Sequence, residues 1–192
     1  MRETWKQIGG TMFDFAPFYQ RIADQIQQPK DREIRLCEVG VADGKSAIFL
    51  AEALANQGKK FVLYMIDNLD YGKNEQLTEI MTNIQRSGLA DNIKFIVSGS
   101  LDASCKFNDG YFDFIFIDAS HKEQETKADI RLWWRKLIWN GILAGHDATG
   151  EENPGVGAAI KQVIPSEFLT IEETEKGYGV WHIQNIGKAY VN

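Results

Sequence analysis

The sequence predicts a doubly wound α/β domain, a mostly parallel seven-stranded sheet that ends in an antiparallel C-terminal hairpin. Two observations predict it. Short, almost wholly apolar runs alternate with amphipathic helical segments, the pattern of a parallel sheet covered on both faces. The last two β-like runs, 168–173 and 178–183, are joined only by TEKG, which leaves no room for a crossover helix, so they must pair antiparallel.

Taken in order, Phe15, Phe18, Tyr19, Ile22 and Ile26 recur at helical spacing and predict an N-terminal helix over about 12–28. Residues 34–39 form the first buried strand and lead into a glycine loop. A helix over 46–56 follows, with Ile48, Leu50, Ala51 and Leu54 inward and Gly58 just past its end. The cycle repeats with a strand at 61–66 and a helix at 75–87, whose predicted inner face is Leu77, Ile80, Met81 and Ile84. Strands at 93–97 and 112–117 come next. A helix over 124–138 then carries Ile130, Trp133, Trp134 and Leu137, before a strand at 142–145 and a short helix at 156–163. Neither repeat nor linker interrupts this order. A single domain over 1–192 is expected, with the helix at 12–28 covering the site and a core over about 33–185.

Composition narrows the function classes. The chain of 192 residues is 44% hydrophobic and 25% charged, as in an ordinary globular domain. A net charge of −6 argues against a phosphate-binding surface for nucleic acid. No apolar run approaches the roughly 18 residues of a membrane span, and the N-terminus lacks a leader pattern. A cytoplasmic domain with neither nucleic acid nor membrane as partner is expected. Cys37 and Cys105 adjoin apolar segments and are expected as free, buried thiols.

The chemistry concentrates where the first strand enters the first helix, at Glu38 to Ser46 (EVGVADGKS). In open α/β sheets, ligands bind at the carboxyl ends of the strands. Three ligand classes compete for this loop. A dinucleotide fingerprint G-x-G-x-x-G is broken by Ala42 and Lys45. A phosphate loop G-x-x-x-x-G-K-[ST] is one residue short between Gly40 and Gly44, and Glu38 would repel a polyanion. The acid-ended strand 112–118 nevertheless keeps a nucleotide triphosphatase as the alternative. A ligand with a nucleoside, a zwitterionic amino acid and a sulfonium suits the loop better. Glu38 would meet its cationic end, and Asp67, 23 residues after Gly44, would accept from a ribose. The competing role for Asp67 is a turn cap, since Asn68 and Gly72 follow.

With these residues in view, the sequence resembles the class I S-adenosylmethionine-dependent methyltransferases, in particular small methyltransferases related to sugar and macrolide O-methyltransferases. EVGVADGKS (38–46) resembles their E-x-G-x-x-x-G-x-S loop, and IDASH (117–121) their I-D-G-D-H segment. ADIRLW (128–133) continues that pattern on the next helix, and GILAGHD (141–147) resembles their G-G-x-x-x-x-H-D. The match runs from about residue 12 to 185. The resemblance implies a Rossmann-like fold and S-adenosylmethionine as cofactor. Gly40, Gly44 and Ser46 would lie against its methionine part and Asp67 against the ribose. Ser100 and Leu101 would flank the adenine, and Asp118 would anchor the amino group or the substrate side of the cofactor. A small hydroxylated acceptor is implied, and a second copy of the chain could complete the pocket.

Methyl transfer to a hydroxyl requires alignment and removal of a proton. His121, His146 and Asp147 are the catalytic candidates, with His146 favoured as base because imidazole titrates near neutrality. A His-Asp pair after a strand can equally cap a turn, which would leave a catalytically silent cofactor-binding relative. The resemblance to cation-dependent O-methyltransferases places Asp118 and Asp147 at metal-ligand positions, but Ala148 stands where those enzymes have Asn. A divalent cation therefore stays open. His182 and the tryptophans Trp133, Trp134 and Trp139 are expected to serve packing, and Glu151-Glu152 to be a solvated loop. The N-terminal aromatics Phe13 and Phe15 are expected mainly in the core, with some contact to substrate.

Overall fold

A computed structural model describes residues 1–9, 13–70 and 75–187. Gly72, and position 12 at the expected start of the first helix, lie outside them. A 3-10 turn (Thr4–Gln7) and α1 (Ala16–Gln25) precede β1 (Ile34–Val39), α2 (Lys45–Asn56), β2 (Phe61–Asp67), α3 (Gln76–Ser87) and β3 (Ile93–Val97). Then come α4 (Ser100–Ser104), β4 (Phe112–Ile117), α5 (Glu123–Trp134), β5 (Leu137–Gly145), α6 (Pro154–Val163), β6 (Thr170–Glu172) and β7 (Val180–Gln184). The strands order as β3-β2-β1-β4-β5-β7-β6. The five strands from β3 to β5 are parallel, and β7 slots antiparallel between β5 and β6. This is the Rossmann-like architecture that the alternation predicts.

Strand periodicity divides the core. Ile34 and Leu36 of β1 and Phe114 and Phe116 of β4 face a cluster shared with α1, α2 and α3. Cys37, Val39, Ile115 and Ile117 face the opposite cluster, shared with α4, α5 and α6. Both faces are thus covered, which is why these strands lack polar alternation. The one acid within β4, Asp113, is buried but takes a bidentate pair from Arg32 at 2.6 and 2.8 Å and the Arg35 amide at 2.8 Å.

Several expectations are corrected. The helix expected to reach 138 stops at Trp134, because Leu137 already pairs with Phe112 in β5. A register shift between Phe112 and Phe114, with Asn140 at φ 62°, absorbs the extra residues as a bulge that single-strand periodicity does not reveal. On α3, Leu77 and Met81 are exposed, and the buried face is Ile80 and Ile84 with Gln76, Asn83 and Ser87. Both cysteines are free, Cys37 buried as expected but Cys105 exposed. Trp133 is buried, Trp134 half-buried and Trp139 exposed. Among the described residues, no helix is long and apolar enough to cross a membrane.

Candidate active site

The carboxyl ends of the strands, at the β1/β4 switch point where ligands bind in such sheets, surround a cavity of about 1050 Å³. The glycine loop forms its floor. The Gly40 amide donates to Ile66 O at 2.8 Å while the Asp118 amide donates to Val39 O at 2.8 Å, so the ends of β1, β2 and β4 are drawn together. Gly40 sits at φ +85°, and a Cβ there would stand 2.0 Å from the Asp118 carbonyl oxygen. Only glycine permits that approach.

Asp67, at the end of β2, braces the loop. Its Oδ2 accepts from the Val41 and Ala42 amides at 2.9 and 3.1 Å, and its Oδ1 from Leu69 N at 2.7 Å. It still lines the cavity, and a carboxylate has lone-pair capacity beyond these three donors. The turn-capping role is therefore real and coexists with access to a ligand. The Val41 and Ala42 amides are given to Asp67, the Gly44 amide to Val41 O and the Lys45 amide to Asp43, so the loop offers no free amide cradle from these four and the triphosphatase alternative is not favoured.

Glu38 occupies a place the sequence did not indicate. It is absent from the cavity wall and buried behind the loop, where Tyr19 Oη donates to Oε2 at 2.8 Å and Ser46 Oγ donates to Oε1. Burial pushes its carboxyl up to about 8, with the Ser46 and Tyr19 hydrogen bonds opposing. The expected direct contact with a cationic ligand is thus corrected, because α1 packs Tyr19 over the group. Gly44, at φ +84° before α2, also lies off the wall, whereas Ser46 lines it.

Ser100 and Leu101 line the cavity at the start of α4, a short helix that periodicity did not disclose. The Ser100 hydroxyl is committed, donating to Asp129 at 2.5 Å and accepting from Trp133 Nε1 at 2.8 Å. Burial raises Asp129 to about 6, against the Ser100 hydrogen bond. Among the described residues, Lys45 is the only lysine or arginine on a wall that also carries Asp70, Asp102 and Glu125.

At the other end, Asp118, His121, His146 and Asp147 converge as expected. Burial raises Asp118 to about 6. His121 Nε2 lies 3.1 Å from Asp147 Oδ2, and that hydrogen bond holds the His121 pKa above its ordinary value. His146 is buried between two carboxylates, with Nε2 3.0 Å from Asp14 Oδ1 and Nδ1 3.6 Å from Asp147 Oδ1. Burial lowers the His146 pKa, but Asp147, Asp118 and Asp14 together outweigh it and raise it. Burial pushes Asp147 upward too, yet hydrogen bonds from His121, His146 and Asn153 hold it well below the usual carboxylate range. Asp118, His121 and Asp147 each offer a ligand atom within 4.8 Å of the others, so this set could hold a divalent cation.

Phe13, Phe15 and Tyr178 line the cavity as well, Phe15 and Tyr178 beside His146, and Glu152, expected in a solvated loop, also lines it and accepts from Tyr178 Oη at 3.2 Å. None of the tryptophans lies on the wall. His182 pairs with Glu172 at 2.8 Å away from it. Sequence reasoning missed Asp14. The signal was an acid set between two aromatics of the predicted core, where an unpaired carboxylate would be costly.

A family profile described as a methyltransferase domain matches residues 37–148, more than half of the chain. The chain belongs to this methyltransferase-domain family. A catechol O-methyltransferase of Mycobacterium tuberculosis is 34% identical over 110 residues, which cover 57% of this chain and 45% of the relative. The chain thus spans less than half the length of that curated relative. Among solved structures, cofactor-bound Rv0187 from MTB superposes with a TM-score of 0.69 at 19% identity, covering 92% of this chain and 82% of that one. An O-methyltransferase from Bacillus cereus in complex with SAH gives 0.66 at 18% identity, with coverage of 91% and 82%. TomG, an O-methyltransferase from Streptomyces achromogenes in complex with SAM, gives 0.65 at 15%, with coverage of 92% and 82%. At these identities the superpositions establish the fold of the methyltransferase domain.

Proposed function

We propose that this methyltransferase domain binds S-adenosylmethionine in the cavity and transfers its methyl group to a hydroxyl of a small acceptor. The observation that carries the reading is the division of one cavity into two chemistries. Its wall carries the glycine loop, Asp67, Ser100 and Leu101, and also the His121–Asp147–Asp118 group with the aromatic side chains of Phe13, Phe15 and Tyr178. Gly40 and Ser46 suit the methionine portion of the cofactor, Asp67 the ribose hydroxyls, and the Ser100 backbone with Leu101 the adenine. Lys45 is placed to meet the carboxylate that the acidic wall would otherwise repel. When bound, the cofactor supplies a sulfonium-activated methyl group, so the protein need only align the acceptor and take its proton.

The general base in this reading is His121 rather than His146. Both nitrogens of His146 are turned toward carboxylates, Asp14 and Asp147. His121 gives Nε2 to Asp147 and keeps Nδ1 without a partner among the described residues, on a half-exposed ring at the cavity. The acceptor oxygen loses its proton to Nδ1 while Asp147 fixes the tautomer and ring orientation. The aromatic lining and the catechol O-methyltransferase relative make a planar aromatic diol the natural first acceptor.

Calorimetry with S-adenosylhomocysteine, beside ATP–Mg²⁺ and NAD, tests the cofactor, and catechol turnover tests the chemistry. Binding of S-adenosylhomocysteine alone is expected, and preference for ATP would sink the reading. His121→Gln should slow turnover by roughly 10²- to 10⁴-fold while leaving cofactor affinity intact. Binding without turnover of any hydroxylated acceptor would instead mark a silent relative. A second reading rests on the ligand geometry of Asp118, His121 and Asp147. A divalent cation held there would acidify the hydroxyl as a Lewis acid. Loss of turnover in chelator, restored by Mg²⁺, would favour it over His121 as base.

A further inference from the structure

The geometry points to Asp14 as a positioning residue: a carboxylate on the N-terminal segment that holds His146, and through His146 the Asp147 carboxylate, so that His121 presents its open nitrogen to the acceptor. The inference rests on the proposed role of His121. Asp14 does not line the cavity, so it touches neither cofactor nor acceptor.

Its position is set by packing independent of the pair it makes. On one side Phe13 packs edge-on against Trp5 at 5.9 Å and against Phe49 at 5.3 Å. On the other, Phe15 stacks on Phe116 at 4.7 Å. Between these anchors the Asp14 side chain is 2% exposed. One oxygen lies 3.0 Å from His146 Nε2, across 132 residues of sequence, and the other is buried with no hydrogen-bond partner among the described residues. A buried carboxylate with a vacant oxygen costs stability that an apolar residue would not, so its presence calls for a role beyond packing.

The partner ring has little freedom left. Phe15 and Tyr178 pack against the His146 imidazole at 4.9 and 5.8 Å. Asp14 fixes the remaining rotation within that slot by engaging Nε2, which directs Nδ1 to Asp147 Oδ1 at 3.6 Å. Asp147 is held at φ 60°, a left-handed conformation that a non-glycine residue adopts at a cost. In that conformation its two oxygens face different imidazoles, Oδ1 toward His146 and Oδ2 toward His121 at 3.1 Å. His121 sits on the loop after β4 with its side chain 43% exposed, and Asp147 is the contact that orients its ring. The chain Asp14–His146–Asp147–His121 therefore links the N-terminal segment to the reacting end of the cavity. Reaction rates are sensitive to small errors in the placement of a catalytic group.

The test uses Asp14→Asn, His146→Gln and the double variant, with two readouts on the full chain. Long-range ¹⁵N NMR resolves the rings, because the sequence has only three histidines. Asp14→Asn should move the resonances of His121 as well as those of His146, although Asp14 does not contact His121. In catechol turnover it should lower kcat by roughly 10- to 100-fold, with KM and S-adenosylhomocysteine affinity unchanged. Asp14→Glu should recover part of kcat. In the His146→Gln background, Asp14→Asn should add nothing to either readout. The proposal is overturned if His121 resonances stay fixed in Asp14→Asn, or if the Asp14 effect persists undiminished without His146. Equal losses in kcat and cofactor affinity would also overturn it, by marking Asp14 as a fold anchor alone. Should Asp14→Asn fail to fold, His146→Gln by itself must still shift His121. The NMR arm needs no acceptor, so failure of the wild-type chain to bind cofactor or turn over substrate would sink the methyltransferase reading separately.

Discussion

Replacing Glu38 by Gln should change how the stability of the protein depends on pH. Glu38 is 1% exposed, and its carboxyl is pushed up to about 8 by burial, against an ordinary value of 4.5. A group that binds its proton more tightly folded than unfolded gives its full stabilisation below about pH 4.5 and loses it as pH rises toward about 8. Across that window the folded state loses about 1.4 kcal/mol per pH unit. Between about pH 5.5 and 7.5 the wild type should therefore lose about 2–3 kcal/mol that Glu38→Gln does not. Asp118 and Asp129, each raised to about 6, add slopes of the same sign centred at lower pH; the Asp129 slope is common to both proteins, and the Asp118 charge, which raises Glu38, is established mostly in the lower part of this range. Glutamine can still accept from one hydroxyl and donate to the other, so the contacts with Tyr19 and Ser46 survive the exchange. Urea unfolding of both proteins across this range measures the gap. Parallel profiles would refute the reasoning, because they would mean that Glu38 ionises in the folded chain as readily as in the unfolded one.

Two other substitutions probe the loop. Gly40→Ala places a Cβ 2.0 Å from the Asp118 carbonyl oxygen at φ +85°. The sum of left-handed strain and overpacking should be about 2–5 kcal/mol, read as a lower urea midpoint, and an unchanged midpoint would mean that the loop can move away from β4. Lys45→Met should weaken S-adenosylhomocysteine binding by about 1–2 kcal/mol while leaving 5′-methylthioadenosine, which lacks the amino-acid carboxylate, unaffected. Equal losses for the two ligands in calorimetry would place Lys45 elsewhere than at the carboxylate.

Much of the architecture was written locally. Parallel strands buried on both faces must be apolar throughout, so the runs 34–39 and 112–117 announce themselves, and TEKG between 173 and 178 leaves only antiparallel pairing. The glycine loop, Asp67 and the His-Asp pair after β5 were likewise legible, because a tight turn and an acid at a strand's carboxyl end are properties of short segments. By itself, then, the sequence determined the fold class, the end of the sheet that carries the site and the residue types gathered there. Only the tertiary structure decided their partners and surroundings. Glu38 became a core group whose carboxyl burial pushes up to about 8, against the hydrogen bond that Tyr19, 19 residues earlier, donates to it. In the proposed reading His146 yields the place of base because Asp14, 132 residues away, lies 3.0 Å from its Nε2, and His121 keeps Nδ1 open because none of the described residues pairs with it. The physical reason is that a side chain's protonation and hydrogen-bond capacity depend on burial and on neighbours within a few ångströms. Those neighbours come from segments whose proximity no local pattern encodes.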